Sequence, residues 1–170
     1  MTLAWMGMEI RPASAGDLEP LGAVFASERG FFADCLVRQE AGGGRLLVAW
    51  LDGWPVGDVF LNLGPADEPE VRRHLAGVPT LVHLEVVGRL QRQGIGTALV
   101  RAGEDAARRL GHGRIALGVG LDNPGARRLY ERLGYIGWGH GHTVTSWREQ
   151  RPGSAPVTVT ETIDMLVKRL

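Results

Sequence analysis

The residues most suited to chemistry sit in three places. The first is Gln91-Arg92-Gln93-Gly94-Ile95-Gly96-Thr97, directly ahead of a helical repeat in which Ile95, Ala98, Leu99, Ala102, Ala106 and Leu110 recur on one face. The first amide hydrogens of such a helix have no intrahelical partner, and its dipole adds partial positive charge there. Gly94 and Gly96 lack Cβ atoms, so an anion can approach the backbone, and Arg92 adds a full charge. The chemistry this suits is phosphate binding. No Gly-Lys-Ser/Thr follows the glycines, which excludes a Walker A loop. Ala98 and Leu99 follow Gly96 where a dinucleotide fingerprint would need a third glycine. Taken alone, the glycine pair also describes an ordinary loop-to-helix junction.

The second place is Asn123 to Tyr130. Asp122 or Asn123 can cap a helix, Pro124 suits its first turn and Gly134 ends it. Ala126, Leu129, Tyr130 and Leu133 form one apolar stripe, with Arg127, Arg128, Glu131 and Arg132 toward water. Tyr130 therefore points inward, and spacing alone reads it as a core tyrosine whose hydroxyl finds a local partner. The third place is His83 and Glu85, two titratable groups inside the apolar run Leu81–Val87.

Elements must hold these groups. The run 81–87 is short and β-branched, so it reads as a buried strand, and Arg114–Leu121 reads as another. Gly118 and Gly120 let that second strand bend or be approached closely. The helix between the two strands starts near Gly94–Thr97 and ends at Gly111, with Arg101, Glu104, Asp105 and Arg108 toward water and i,i+4 pairs Glu104–Arg108 and Asp105–Arg109. Upstream, Glu9–Pro12 reads as a strand, Ser14 with Asp17 as a helix start, and Phe31–Gln39 as an amphipathic helix. Arg45–Leu51 and Val56–Leu63 read as strands about an Asp52-Gly53 turn that Trp54-Pro55 lengthens. Glu70–Leu75 forms a short helix. Tyr135–Thr145 and Val157–Val167 complete the sheet, with Ser146–Pro156 as a polar loop between them.

Strand, glycine turn, helix, strand and helix over Leu81–Tyr135 resemble the acetyl-CoA core of the GNAT superfamily of N-acetyltransferases. Gln91, Gly94 and Gly96 meet its Gln/Arg-x-x-Gly-x-Gly/Ala pattern, and Asn123, Ala126 and Tyr130 its Asn-x-x-Ala-x-x-x-Tyr pattern. The resemblance is specific over this stretch and generic elsewhere. It implies an α/β fold, with a mixed central sheet of about six to seven strands flanked by about four helices. Two central strands then splay apart and admit acetyl-CoA, the acetyl donor. The turn Gln91, Arg92, Gln93, Gly94, Ile95, Gly96 and Thr97 would hold the pyrophosphate. Backbone groups of Val86 and Val87, with Asn123 and Ala126, would meet the pantetheine arm. A backbone amide near Val86 would polarise the thioester carbonyl, and Tyr130 would be the general acid.

The proton balance constrains that chemistry. A tyrosine of pKa ~10 gives its proton to a thiolate of pKa ~8.5 uphill by ~2 kcal/mol, so Tyr130 would act mainly as a hydrogen-bond donor. The usual bases of the family are missing: Gly118, Thr80 and Val82 occupy their positions. Glu85 and His83 are nearby, although strand alternation puts them on the face opposite Val82, Leu84 and Val86. The base is then Glu85, His83, or a group acting through water. Neutralising an α-amine of pKa ~7.8 costs about 1 kcal/mol at pH 7, against nearly 5 for a lysine of ~10.4, so a less basic amine suits the chain better. The expected acceptor is a primary amine of a small molecule. Protein N-termini or lysines, and a non-catalytic acetyl-CoA sensor, are the alternatives. Phe31, Phe32, residues 64–79 and the loop with Trp147 would shape its pocket, while Trp50, Trp54 and Trp138 pack. Asp67, Glu68 and Glu70 either attract a cationic amine or form a solvated loop.

Composition agrees with one domain over residues 1–170, since 44% hydrophobic and 22% charged residues is ordinary globular usage. Net charge is zero, from 19 basic and 19 acidic residues, without the basic footprint of a nucleic-acid or membrane binder. The single cysteine, Cys35, excludes an intrachain disulfide, suits a reducing compartment and reads as packing rather than as a nucleophile. Met1–Met8 is too short and too weakly apolar for a secretory signal, whether Met1 or Met8 is the start, and no run reaches transmembrane length. A cytoplasmic monomer or homodimer without a metal is expected.

Overall fold

The computed structural model of the chain describes residues 7–170; most of the Met1–Met8 segment lies outside that range. Seven strands form one mixed sheet, in the order β1-β2-β3-β4-β5-β7-β6. The strands are β1 (Met8–Pro12), β2 (Gly44–Leu51), β3 (Trp54–Asn62), β4 (Thr80–Val86), β5 (Arg114–Gly120), β6 (Ile136–Glu149) and β7 (Val157–Arg169). Five helices cover it: α1 (Leu18–Val24), α2 (Arg29–Glu40), α3 (Pro69–His74), α4 (Ile95–Arg109) and α5 (Pro124–Arg132). Only β4 and β5 are parallel, because α4 crosses over between them. This is the expected architecture, with α3 as a short fifth helix.

Alternation along the strands divides the core between two faces. Leu47, Val59, Leu61, Leu81, Ile115 and Leu117 pack against Leu99 and Val100 of α4 and Tyr130 of α5. Leu46, Val48, Trp50 and Phe60 pack on the other face against Leu21, Phe25, Phe32 and Cys35 of the α1–α2 region. Val71 and Leu75 close that same face over Ala116, Ile163 and Met165. At Gly103 a Cβ would lie 2.6 Å from Leu81 Cδ2, so glycine is what lets α4 settle this close to β4.

Local chemistry explains most boundaries, and some expectations need correction. Ser14 and Asp17 form a capping box ahead of α1, where Asp17 also takes a bidentate pair from Arg11 at 2.8 and 2.9 Å. Trp54 and Pro55 do not lengthen the β2–β3 turn. Leu51 pairs with Trp54, and Asp52 and Gly53 alone turn the chain at φ +50° and +80°. Trp54 is 62% exposed rather than packed. The polar loop is shorter than expected, because Ser146–Glu149 pair with Val157–Thr160 and leave only residues 150–156 between the strands. Glu104 does not face water: it is buried, and Lys168 of β7 donates to both its oxygens at 2.9 Å. Leu110 is exposed, and Asp105 pairs with Arg108 rather than Arg109. Among the described residues, no helix is long and apolar enough to cross a membrane.

Candidate active site

The site begins where two neighbouring strands stop pairing. β4 and β5 are in register at Thr80↔Ala116 and Leu81↔Leu117 only, although β4 continues to Val86 and β5 to Gly120. A bulge in β4 accompanies the separation. Phe60 pairs with Val82 and Asp58 with Glu85, so His83 and Leu84 together oppose Val59. His83 takes φ +55° there, and a bulge of this kind bends its strand. Val87 donates its N–H to Val56 O at 2.9 Å and accepts from Leu90, so both its backbone groups are engaged. Successive residues of an antiparallel ladder turn their polar groups to opposite sides, so Val86 directs its own toward β5 and the gap. Gln91 reaches back and donates Nε2–H to Val86 O at 3.1 Å.

The glycine turn opens at the same end of the sheet. Gly94, at φ +94°, is the N-cap of α4, and the first helical bond runs from Ala98 N–H to Gly94 O at 3.0 Å. The amides of Ile95, Gly96 and Thr97 are therefore left without helical partners. Arg92 is exposed at φ +60° beside them, and Gln93 donates to Arg89 O. A Cβ on Gly96 would meet Leu129, Leu84 and Val86 at 3.8–3.9 Å, ordinary contact distances. Gly96 thus lies where α4, α5 and the free end of β4 converge.

Across the gap, Asn123 caps α5 by accepting from Ala126 N–H at 3.1 Å, which leaves its amide donors available. Arg127 faces water as expected, with 39% of its side chain exposed, and also clamps α5 to β7 through Asp164. Tyr130 is buried edge-on to Tyr135, with ring centroids 6.1 Å apart. Its hydroxyl makes no hydrogen bond among the described residues, and burial pushes its pKa up to about 12. A phenol so weakly acidic donates a hydrogen bond to a developing thiolate more readily than it gives up its proton.

The opposite wall departs most from strand alternation. Register-paired residues share a face, so Val82 and Glu85 lie with Phe60 and Asp58 on the α2 side, while Leu84 and Val86 turn toward α4. Glu85 and Val82 are therefore on the same face, because the bulge shifts the alternation by one residue. Around His83 gather Asp58 of β3, Glu85 of β4 and Glu28, which precedes α2. Sequence reasoning missed Glu28 and Asp58. A lone carboxylate inside the apolar run 56–63 was a readable signal for Asp58; nothing local marked Glu28. Of the acidic loop, Glu68 accepts from Thr145 at 2.6 Å and ties the start of α3 to β6. Cys35 is buried, and desolvation holds its thiol up to about 12. Two clefts, of about 350 and 470 Å³, open elsewhere: beside the second half of α4, and at the N-terminal ends of β4 and β5.

Comparison with known proteins bears on this arrangement. The acetyltransferase (GNAT) family model matches residues 13–135. Similar solved structures include a ribosomal-protein-alanine N-acetyltransferase from Brucella melitensis, 22% identical, with 95% of this chain and 99% of that one covered at a TM-score of 0.67. A GNAT family acetyltransferase from Elizabethkingia anophelis with acetyl-CoA bound is 18% identical, with 97% and 99% covered at a TM-score of 0.61. PaiA N-acetyltransferase from Thermoplasma acidophilum, in complex with coenzyme A, is 19% identical, with 97% and 100% covered at 0.66. No match is found among curated proteins. Identities this low establish the shared fold and leave each neighbour's acceptor its own.

Proposed function

Since the chain belongs to the GNAT family of acetyltransferases, we propose that it moves the acetyl group of acetyl-CoA to a primary amine of a small molecule, by direct attack of the amine on the thioester. The observation that carries this reading is the opening between β4 and β5, bordered by the unpaired amides of Ile95, Gly96 and Thr97. Solved neighbours holding acetyl-CoA or coenzyme A support the donor.

Each residue then has a task. The turn Gln91–Thr97 binds the pyrophosphate through backbone amides, with Arg92 adding charge, so its binding energy serves positioning rather than bond making. Val86 presents its backbone to the pantetheine arm and the thioester oxygen, an interaction that strengthens as charge develops there. Asn123 offers the arm its free amide donors. Tyr130 hydrogen-bonds the departing sulfur. The amine's proton goes to the α2-facing side of β4, where Glu85 and His83 lie. Support for a small acceptor comes from Phe31, whose ring centroid sits 4.1 Å from that of His83 and narrows the approach to these groups.

The test is release of free coenzyme A thiol from acetyl-CoA with a panel of amines, alongside calorimetric measurement of acetyl-CoA binding. Acceptor-dependent release is the expected result. Tight binding with no release from any amine would make the domain a sensor of acetyl-CoA instead.

A further inference from the structure

A buried carboxylate needs a reason. Asp58 is 0% exposed within β3, and its Oδ1 lies 2.9 Å from His83 Nδ1. Its second oxygen, Oδ2, is buried without a hydrogen-bond partner among the described residues. Such a group destabilises a fold unless a hydrogen-bond donor or a charge answers it. His83 is that answer, and φ +55° is the strained conformation at which it meets Asp58, at a cost of about 1 kcal/mol or more. The other face of the imidazole is equally constrained. Nε2 lies 3.2 Å from Glu28 Oε2 and 3.5 Å from Glu85 Oε2. Phe31 lies tilted over the ring and Phe32 meets it edge-on.

Asp58 holds the imidazole proton on Nδ1, so the neutral ring turns a lone pair, not a donor, toward the two glutamates. Three acceptor atoms then face one another within 4.8 Å. Alone they repel. A primary ammonium has three N–H donors on one side and a carbon stem on the other, which fits this set one donor to each acceptor. A quaternary ammonium offers none.

Resting on the acetyl transfer proposed above, we propose that Glu28, Glu85 and His83 Nε2 form the receptor for the acceptor's primary ammonium, that His83 is the base that deprotonates it, and that Asp58 is the positioning residue that makes His83 that base. His83 Nε2 takes one proton from the ammonium nitrogen and becomes imidazolium, held by Asp58. The freed lone pair forms the N–C bond to the acetyl carbon and the C–S bond breaks. The second nitrogen proton passes to the sulfur, with Tyr130 hydrogen-bonding it. Ammonium and acetyl-CoA thus give amide, coenzyme A thiol and one proton, which His83 returns to solvent.

Titration follows from the same contacts. Desolvation pulls His83 down, but the hydrogen bond to Asp58 and the charges of Asp58, Glu28 and Glu85 outweigh it and raise its pKa above the ordinary value. Burial pushes Asp58 up to about 6 against the opposing pull of His83. A base must be neutral to act, so kcat/KM should rise with pH through the raised His83 pKa. In Asp58→Asn the acid limb should move to lower pH while the plateau falls.

The experiment pairs kinetics with NMR on the full chain, using n-hexylamine and hexyltrimethylammonium as probes. Thiol release from wild type with n-hexylamine, and neither turnover nor competition by the quaternary analogue, is expected. His83→Gln should lower kcat/KM by about 10²–10⁴-fold, and Glu28→Gln should raise the n-hexylamine KM about tenfold with kcat nearly kept. Nitrogen-15 shifts should show neutral His83 protonated on Nδ1, with a pKa above ~6.5 that falls in folded Asp58→Asn. Should Asp58→Asn not fold, the tautomer and pKa of wild type and Glu28→Gln still decide. A turning-over wild type whose His83→Gln variant keeps its rate and acid limb overturns the inference and leaves the acetyl transfer standing. Activity lost to a chelator and restored by zinc would assign the cluster to a cation and also overturn it. No release from wild type with n-hexylamine would overturn this receptor, whereas no release with any amine in the wider panel would overturn the acetyl transfer as well.

Discussion

The two walls of the gap are made of different material. On the donor side the proposed working groups are chiefly backbone amides at one helix start and one strand end, within Val86–Thr97, with Asn123 and Tyr130 beside them. On the acceptor side they are side chains at positions 28, 58, 83 and 85, from a turn and two strands. Backbone chemistry is set by conformation, which a few adjacent residues dictate. Side-chain chemistry is set by which distant segments the fold brings together. The first kind leaves a local signature in the sequence and the second leaves scattered letters.

The sharpest way to break that division is Tyr130→Phe, because it removes one side-chain atom from the donor side. A positioned donor is worth roughly 10²–10⁴ in rate. The phenyl ring still fills the α5 stripe, so acetyl-CoA affinity should barely move. The high hydroxyl pKa of about 12 places the effect in hydrogen bonding rather than in full proton transfer, so the loss should fall near the bottom of that range. Single-turnover kinetics beside calorimetry separates the two quantities. Full turnover in the Phe variant would return Tyr130 to packing and leave Asn123 and Arg92 as the side chains of the donor side.

Comparable in size is Lys168→Met, aimed at the buried carboxylate that the donor helix carries. Glu104 is 2% exposed and takes hydrogen bonds from Lys168 on both oxygens, with Arg108 at 3.7 Å and the Tyr135 ring beside it. Removing one partner of a buried pair costs about 3–5 kcal/mol, and Arg108 should hold the loss near 3. Urea unfolding measures it. A loss under about 1 kcal/mol would show that water reaches Glu104 and that the pair is a surface one.

Glu104 also shows where sequence reading gives out. Helical spacing placed it with Arg101, Asp105 and Arg108 toward water, and only the end of β7, some sixty residues later, brings Lys168 over it. His83 and Glu85 failed differently. Period-two alternation set them opposite Leu84 and Val86, as found, but also opposite Val82, and a bulge marked by no glycine or proline brings Val82 onto their face. By contrast the sheet, the crossover, the Gly94 turn and the Asn123 cap were all legible, because each rests on contiguous residues whose conformational preferences agree. Asp52-Gly53 was legible as a turn and misjudged in length, since the irregularity it seemed to require is taken up as a bulge at Ala49/Trp50.

Gly96→Val should have a moderate effect, and Gly96→Ala little. The alanine Cβ finds only ordinary contacts at 3.8–3.9 Å, whereas valine methyls would press on Leu84, Val86 and Leu129 and crowd the approach to the free amides. About tenfold weaker acetyl-CoA binding is expected for valine, roughly 1.4 kcal/mol, with the melting temperature little changed. If Gly96→Val binds as wild type does while folded, the pyrophosphate is not on this turn, and the donor side loses its defining feature.

The smallest effect belongs to Arg92→Ala, and its smallness is the point. Arg92 is exposed beside the turn, so its attraction to a phosphate is screened by water and salt. An exposed pair of this kind is worth about 0.2–1 kcal/mol, which corresponds to an acetyl-CoA affinity about 1.4- to fivefold weaker at low salt. At about 1 M salt the Debye length falls to about 3 Å, and the difference between variant and wild type should largely vanish. The backbone contribution should behave otherwise, because the amides of Ile95, Gly96 and Thr97 would meet a phosphate at hydrogen-bond range and be screened much less. Affinity measured for both proteins across a salt series separates the two. A large loss in Arg92→Ala that persisted at high salt would mean the side chain, not the helix start, holds the phosphates, and the contrast between the two walls would disappear.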